Sequence, residues 1–233
     1  MTRVRVSEEY RAARDELREA EAALVEQGER VAALRRALPL DTVMEDHVFI
    51  EGPPDVTAGD APTREVRLSE LFTASDRALV IYHFMFGKAQ EEACPMCTMW
   101  IDGLNGVAGH LARNVDVAVA AAADPGVLRE HARARGWTGL RLLSCGENTF
   151  KADLGSEDGK GVQKAAVSTF TLADDGSVRH FTTAFAYSDP PIEFRGLDLL
   201  SPPWQVLDLT PAGRGEWYPS LGYAPAGRPG GPS

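Results

Sequence analysis

Two cysteines three residues apart, Cys94 and Cys97 in Cys94-Pro95-Met96-Cys97, carry the clearest chemistry in this sequence. At the start of a helix that spacing puts both sulfurs on one face of the first turn, with the first sulfur beside unpaired backbone N–H groups and the positive end of the helix dipole. A thiolate is favoured there, so Cys94 is expected to have a lowered pKa and to act as a nucleophile at neutral pH. Pro95 suits the first helical position, where its missing N–H costs nothing. Cys97 would then resolve the intermediate by thiol–disulfide exchange. Glu91 and Glu92 oppose this, because a nearby carboxylate disfavours a second negative charge. Metal binding is the alternative: two thiolates and the imidazole of His83 form a soft three-ligand set that suits copper or zinc. The bland alternative is a pair of buried, inert thiols. The redox reading requires no cofactor.

The elements around the pair sharpen its meaning. Ala78–Phe86 is a near-continuous apolar run, as expected of a central strand covered on both faces. A polar loop, Gly87–Ala93, leads from it to a predicted helix over Pro95–Ala112. Val115–Ala123 reads as the next strand, Pro125–Arg135 as a second helix capped by Gly136, and Leu140–Ser144 as a third strand. Strands alternating with helices of this size imply right-handed βαβ units and a parallel sheet. Further on, Val167–Leu172 and Val178–Phe185 flank a turn containing Gly176 and predict a hairpin. Leu197–Leu209 is apolar but broken by Pro202 and Pro203. The expected fold is α/β, a thioredoxin-like fold with a long N-terminal helical extension.

That extension spans Ser7 to Leu38. Ser7 is the predicted N-cap, Glu8 and Glu9 occupy the first turn, and Pro39 ends the helix. Tyr10, Leu17, Leu24, Val31 and Leu38 recur every seven residues and form a heptad seam. A helix of about 31 residues is roughly 46 Å long, more than one small domain can cover, so a homodimerisation arm is expected. We divide the chain into the helical arm (1–45), a thioredoxin-like domain (46–210) and a Gly/Pro-rich tail (211–233).

Composition narrows the function further. The 34 acidic residues exceed the 24 basic ones and give a net charge of −10, which argues against nucleic acid as a partner. The longest apolar runs fall far short of the roughly 20 residues that span a bilayer, so no membrane partner is expected. Met1–Tyr10 lacks the apolar stretch of a signal peptide. These features favour a cytoplasmic protein acting on a small-molecule or thiol substrate. In a reducing cytosol a C-x-x-C pair is redox-active or metal-binding sooner than a structural bridge. The basic residues are 20 arginines and only four lysines (Lys88, Lys151, Lys160 and Lys164).

The sequence also resembles a known family. Tyr82-His83-Phe84-Met85-Phe86-Gly87, Glu91-Glu92-Ala93-Cys94-Pro95-Met96-Cys97 and Trp100-Ile101-Asp102 resemble the thioredoxin-like family catalogued as domain of unknown function 899. Val31–Pro39, Arg195-Gly196 and Leu207–Arg214 extend the resemblance to about residues 5–215. It implies the fold and assigns no activity. The chain departs from the family pattern at Met96, where a Ser is usual, at Cys145, where a Ser-Ser pair is expected, and around Asn148–Asp158, where Phe150 and Asp153 remain.

Supporting roles follow from placement. Trp100 and Asp102, on the helix after the cysteines, are candidate second-layer groups, Trp100 mainly by packing and Asp102 as a proton shuttle to Cys97. Thioredoxins place a cis proline before the strand that faces the cysteines; here Lys164-Ala165-Ala166 occupies that place, so trans bonds are expected. A peroxiredoxin-type nucleophile would want Thr three residues earlier, where Glu91 stands. Cys145 is a second resolving thiol or a small buried residue. His47, His110, His131 and His180 form no spaced pair and read as surface or core residues. Arg195 is a candidate anion contact.

Overall fold

The computed structural model describes residues 6–186 and 201–222. Chain contacts divide it into two units, Met1–Leu40 and Asp41–Ser233. Among the described residues the first unit is a single helix, α1 (Glu8–Arg36). Ser7 caps it, with its hydroxyl accepting the Tyr10 N–H at 3.0 Å, and Arg35 and Arg36 end it where the dipole favours cations. None of the α1 residues is buried, and the seam residues Tyr10, Leu17, Leu24 and Leu38 are all more than 40% exposed.

The second unit is built on a seven-stranded sheet of order β2-β1-β5-β4-β3-β6-β7. Its strands are β1 (Val48–Glu51), β2 (Arg64–Arg67), β3 (Ala78–Phe84), β4 (Val115–Ala121), β5 (Arg141–Ser144), β6 (Ala166–Leu172) and β7 (Val178–Phe185). The helices are α2 (Pro95–Leu111), α3 (Pro125–Arg135), the single turn α4 (Phe150–Asp153) and α5 (Pro202–Asp208). Strands β3, β4 and β5 are parallel and are joined by α2 and α3, as the alternating pattern predicts. The hairpin β6–β7 runs antiparallel along the other edge of β3, and its Gly176 has φ +79°. A CxxC at the strand-to-helix junction of this βαβ unit, followed by an antiparallel hairpin on the same central strand, makes the fold thioredoxin-like.

The sheet has a core on each face. Because strand residues alternate faces, Tyr82 and Phe84 of β3 pack with Cys97, Trp100 and Ile101 of α2 and with Leu128 and Ala132 of α3. Leu79 and Ile81 pack on the opposite face with Leu68, Leu71 and Phe150. The loop before β2 is held by the buried Arg129, which donates to the carbonyls of Pro53, Asp55 and Gly59 and to the Asp60 carboxylate. Such a multiply bonded guanidinium offsets the cost of burying its charge.

The sequence of Val66–Phe72 predicts a short strand followed by a turn, and the structure ends β2 at Arg67 and continues as a 3-10 turn at Leu68–Leu71, whose two leucines are buried. Residues 197–200 of the apolar run Leu197–Leu209 lie outside the described ones; the described part forms α5, with Ser201 before it and Pro202 and Pro203 in its first turn, where proline is tolerated. α4, only four residues long, lies below the length at which hydrophobic periodicity can be read.

Candidate functional site

The site begins at the end of β3. The backbone leaves Phe84 and turns through Gly87, which has φ +92° and lies so close to the segment that follows β4 that an added Cβ would sit 2.2 Å from the Ala123 nitrogen. No L side chain fits both constraints. Gly87 and Gln90 exchange backbone hydrogen bonds of 2.6 and 3.1 Å, and the Cys94 N–H donates to the Met85 carbonyl at 3.1 Å. The loop therefore folds back on the strand end and delivers Cys94 to the N-terminus of α2.

Cys94 is the N-cap of α2, with extended backbone (φ −62°, ψ 122°), and Pro95 opens the helix as expected. The Cys97 N–H donates to the Cys94 sulfur at 3.5 Å. Cys94 is partly exposed and Cys97 fully buried; all three cysteines are free thiols. The Cys94 thiol is lowered to about 7, first by a hydrogen bond from the Cys97 thiol and then by the backbone N–H groups of Cys97 and Met96, against the opposing effect of burial. The Cys97 thiol is pushed well above the ordinary cysteine range by burial and by its neighbour Cys94. Glu91 and Glu92, whose charges oppose a thiolate, are both exposed. The pair is thus polarised: an accessible sulfur that ionises near neutrality and a buried one that keeps its proton.

The expected supporting residues are distributed unequally. Trp100 is buried and packs edge-on against Tyr82, with ring centroids 6.1 Å apart, so it shapes the wall behind Cys97. Asp102 is committed elsewhere: it accepts the Trp137 indole N–H at 2.8 Å and pairs with Arg135. That engagement overturns its expected role as a proton shuttle to Cys97. His83 lies in the opposite core, stacked on Phe150, with Nδ1 2.6 Å from the Ser156 hydroxyl and Nε2 2.9 Å from the Ser168 hydroxyl. The alternation that turns Tyr82 toward the sulfurs turns His83 away from them. The set Cys94, Cys97 and His83 is not gathered, and it does not fit a copper or zinc ion with three protein ligands. The bonds around Lys164-Ala165-Ala166 are trans. Arg195 lies outside the described residues.

Residues not anticipated from the sequence complete the site. Tyr82 is buried beside Cys97; its hydroxyl lacks an aligned hydrogen-bond partner, and burial followed by the Cys97 sulfur raises its proton affinity. Lys151 of α4 is 2% exposed. Its ammonium nitrogen donates to the Phe84 carbonyl at 2.6 Å and to Gln163 Oε1, while Gln163 Nε2 donates to the Gly87 carbonyl at 2.7 Å. Lys151 and Gln163 thus brace both ends of the turn that presents Cys94. Burial lowers the Lys151 pKa to about 8. The scarcity of lysine in the sequence does not single it out, since Lys160 and Lys164 are exposed; its role rests on contacts distant in the chain. A guanidinium is permanently charged and bulky, whereas a buried amine can shed its proton.

The whole arrangement lies within one family match. Residues 1–225 match the family described as bacterial protein of unknown function (DUF899). The chain belongs to the DUF899 family. No curated protein matches it in sequence. Among solved structures, this DUF899 chain is similar to the reduced 2-Cys peroxiredoxin of Plasmodium vivax, at 14% identity over 62% of this chain and 84% of that one, with a TM-score of 0.44. It is also similar to a variant of Xanthomonas campestris peroxiredoxin Q (12% identity, 69% and 95% coverage, TM-score 0.46). A third is the Enterococcus faecalis AhpC (13% identity, 70% and 89% coverage, TM-score 0.46). No described helix is long and apolar enough to cross a membrane.

Proposed function

We propose that this DUF899 protein is a thiol–disulfide oxidoreductase acting on a small disulfide or a specific partner thiol in a reducing, cytoplasmic setting. The observation that carries the reading is the polarised pair: Cys94 ionises near neutrality at the helix N-terminus while Cys97 stays protonated beneath it.

The Cys94 thiolate attacks one sulfur of a disulfide. A Cys94–substrate bond forms, the substrate S–S bond breaks, and one thiolate leaves. Cys97 then attacks the Cys94 sulfur and closes the Cys94–Cys97 disulfide. The second substrate thiolate departs with the proton that Cys97 gives up. The substrate gains two electrons, and an external dithiol resets the enzyme by the reverse exchange. No metal or organic cofactor enters this cycle. The test uses the full chain with oxidised glutathione as probe. Cys97→Ser is expected to accumulate a mixed disulfide at Cys94, seen as one added glutathionyl mass on the intact protein. Absence of that adduct in Cys97→Ser, with glutathione disulfide in excess at pH 8, overturns the reading.

The exposed heptad seam of α1 supports a homodimer formed through this helix. A monomeric mass by light scattering of the full chain refutes that part alone.

A further inference from the structure

A second group of chemistry-bearing side chains lies apart from the thiols. Glu45, His47 and Asp153 each offer a donor atom, and the three atoms lie within 4.8 Å of one another. A tight turn, closed by the His47 N–H on the Glu45 carbonyl at 2.9 Å, carries the first two; α4 supplies the third. The His47 backbone is pinned from the other side, where its carbonyl accepts the Leu68 N–H at 2.9 Å.

The decisive feature is the imidazole. His47 is 3% exposed, edge-on to the Phe150 ring, and its Nε2 is buried without a hydrogen-bond partner. That nitrogen sits 3.2 Å from Asp153 Oδ2, yet no N–H is aligned along the line between them. A buried polar atom without a partner costs about 1–3 kcal/mol. A ring nitrogen whose N–H direction lies off that line carries its lone pair off it too, so at this separation a cation beside the line, met by both atoms, suits the pair better than a hydrogen bond. Donors about 2.1 Å from a tetrahedral ion lie roughly 3.4 Å apart, which matches this spacing. The Thr149 hydroxyl donates to Asp153 Oδ2 at 2.8 Å and orients the carboxylate, the usual second layer of a metal ligand. Glu45 and Asp153 are exposed, so water has access to complete the coordination.

We propose that Glu45, His47 and Asp153 bind a divalent first-row transition ion, zinc in preference to manganese. One imidazole and two carboxylates are a borderline-to-hard set, and for such ligands affinity rises from manganese toward zinc. The ion fastens the segment entering β1 to α4. This site shares no residue with the thiol chemistry and stands or falls without it.

The test must remove the competing sulfurs. The full-length Cys94→Ser/Cys97→Ser protein, stripped with EDTA, is titrated with ZnCl2 and separately with MnCl2 by calorimetry at pH 7. One zinc per chain is expected, bound more tightly than manganese, with a zinc-dependent rise in Tm. Adding His47→Ala is expected to weaken zinc binding at least about tenfold, and Asp153→Asn, a conservative change at an exposed position, to do the same. Circular dichroism confirms that each variant is folded before titration. Zinc binding that persists unchanged in folded Asp153→Asn, or no saturable zinc binding in the parent, overturns the proposal and leaves His47 and Asp153 as a plain ion pair.

Discussion

Cys94 and Cys145 follow two parallel strands of the same sheet, yet the two thiols differ in kind. Cys94 follows β3 through a loop, caps α2, and is lowered to about 7. Cys145 directly follows β5, donates its S–H to the Ala121 carbonyl at 3.2 Å, and is pushed up to about 11 by burial. A helix N-terminus presents donors to a sulfur; a strand end presents an acceptor. Donors stabilise a thiolate, and an acceptor fixes the thiol proton. Reactivity here is set by what surrounds each sulfur, the Cys97 thiol and backbone N–H groups at Cys94 and burial at Cys145, not by residue type.

The largest expected effect breaks that contrast directly. Cys94→Ser should abolish turnover of a small disulfide, a loss of about 10³-fold or more, because no other accessible thiolate exists near neutral pH. Cys145→Ser should retain turnover within about twofold. Steady-state rates with a coupled dithiol donor measure both. Comparable losses in the two variants would mean that Cys145 takes part in the exchange.

The next effect concerns the brace. Lys151→Met strips the Phe84 carbonyl and Gln163 Oε1 of a shared donor; the carbonyl keeps the Phe86 N–H at 3.1 Å, while the buried Gln163 Oε1 loses this partner at a cost of about 1–3 kcal/mol. The substitution also has a pH signature. The folded amine titrates at about 8 and the unfolded one near 10.5. Between those values the unfolded chain holds the proton and the folded chain does not, so raising the pH through this window favours the folded state. Below about 8 both states hold the proton, and the folded state bears the cost of a buried ammonium. The stability deficit of Lys151→Met relative to the wild type should therefore grow from pH 8 to 10. Urea unfolding at pH 7, 8, 9 and 10 measures it. A constant deficit would mean that the buried amine does not titrate in this range.

Cys97→Ala sharpens the account of Cys94 itself. The Cys97 thiol is the largest cause lowering Cys94, with the backbone N–H groups of Cys97 and Met96 behind it. Its removal should move the midpoint of Cys94 alkylation upward from about 7 toward the ordinary cysteine range and slow iodoacetamide labelling at pH 7 severalfold to about tenfold. A midpoint that stays at about 7 would assign the whole effect to the helix N-terminus.

The legible and illegible parts of this protein divide along the same physical line. β3, α2, α3 and the β6–β7 hairpin could be read because each carries a long run of one periodicity between strong stops, such as Pro95, Pro125, Gly136 and Gly176. The cysteine pair could be read because its chemistry is local, a strand, a loop and a helix start. His83 could not. Its neighbours in sequence lie by the sulfurs, but one step along a strand is a change of face, and nothing in the sequence says which face looks toward the thiols. Lys151, Gln163 and His47 escaped for the complementary reason: each acts on a segment far away in the chain, through contacts that no spacing rule encodes. Asp102 was correctly placed on α2 and wrongly assigned, because Arg135 and Trp137, which hold its carboxylate, arrive from α3 and the loop beyond it.

The smallest effect is also the cleanest test of the comparison. Cys145→Ser keeps a donor of similar size for the Ala121 carbonyl, so stability should change by less than about 1 kcal/mol. In a folded Cys94→Ser/Cys97→Ser chain, Cys145 should resist iodoacetamide at pH 7–9, because at about 11 the thiolate is a minor species there and the residue is only 2% exposed. Labelling should appear only when urea unfolds the chain, with the same midpoint as the loss of circular dichroism. Prompt labelling of the native protein at pH 7 would place Cys145 at an accessible surface with donors around it. The difference between a helix start and a strand end would then not explain why one thiol of this sheet reacts and the other does not.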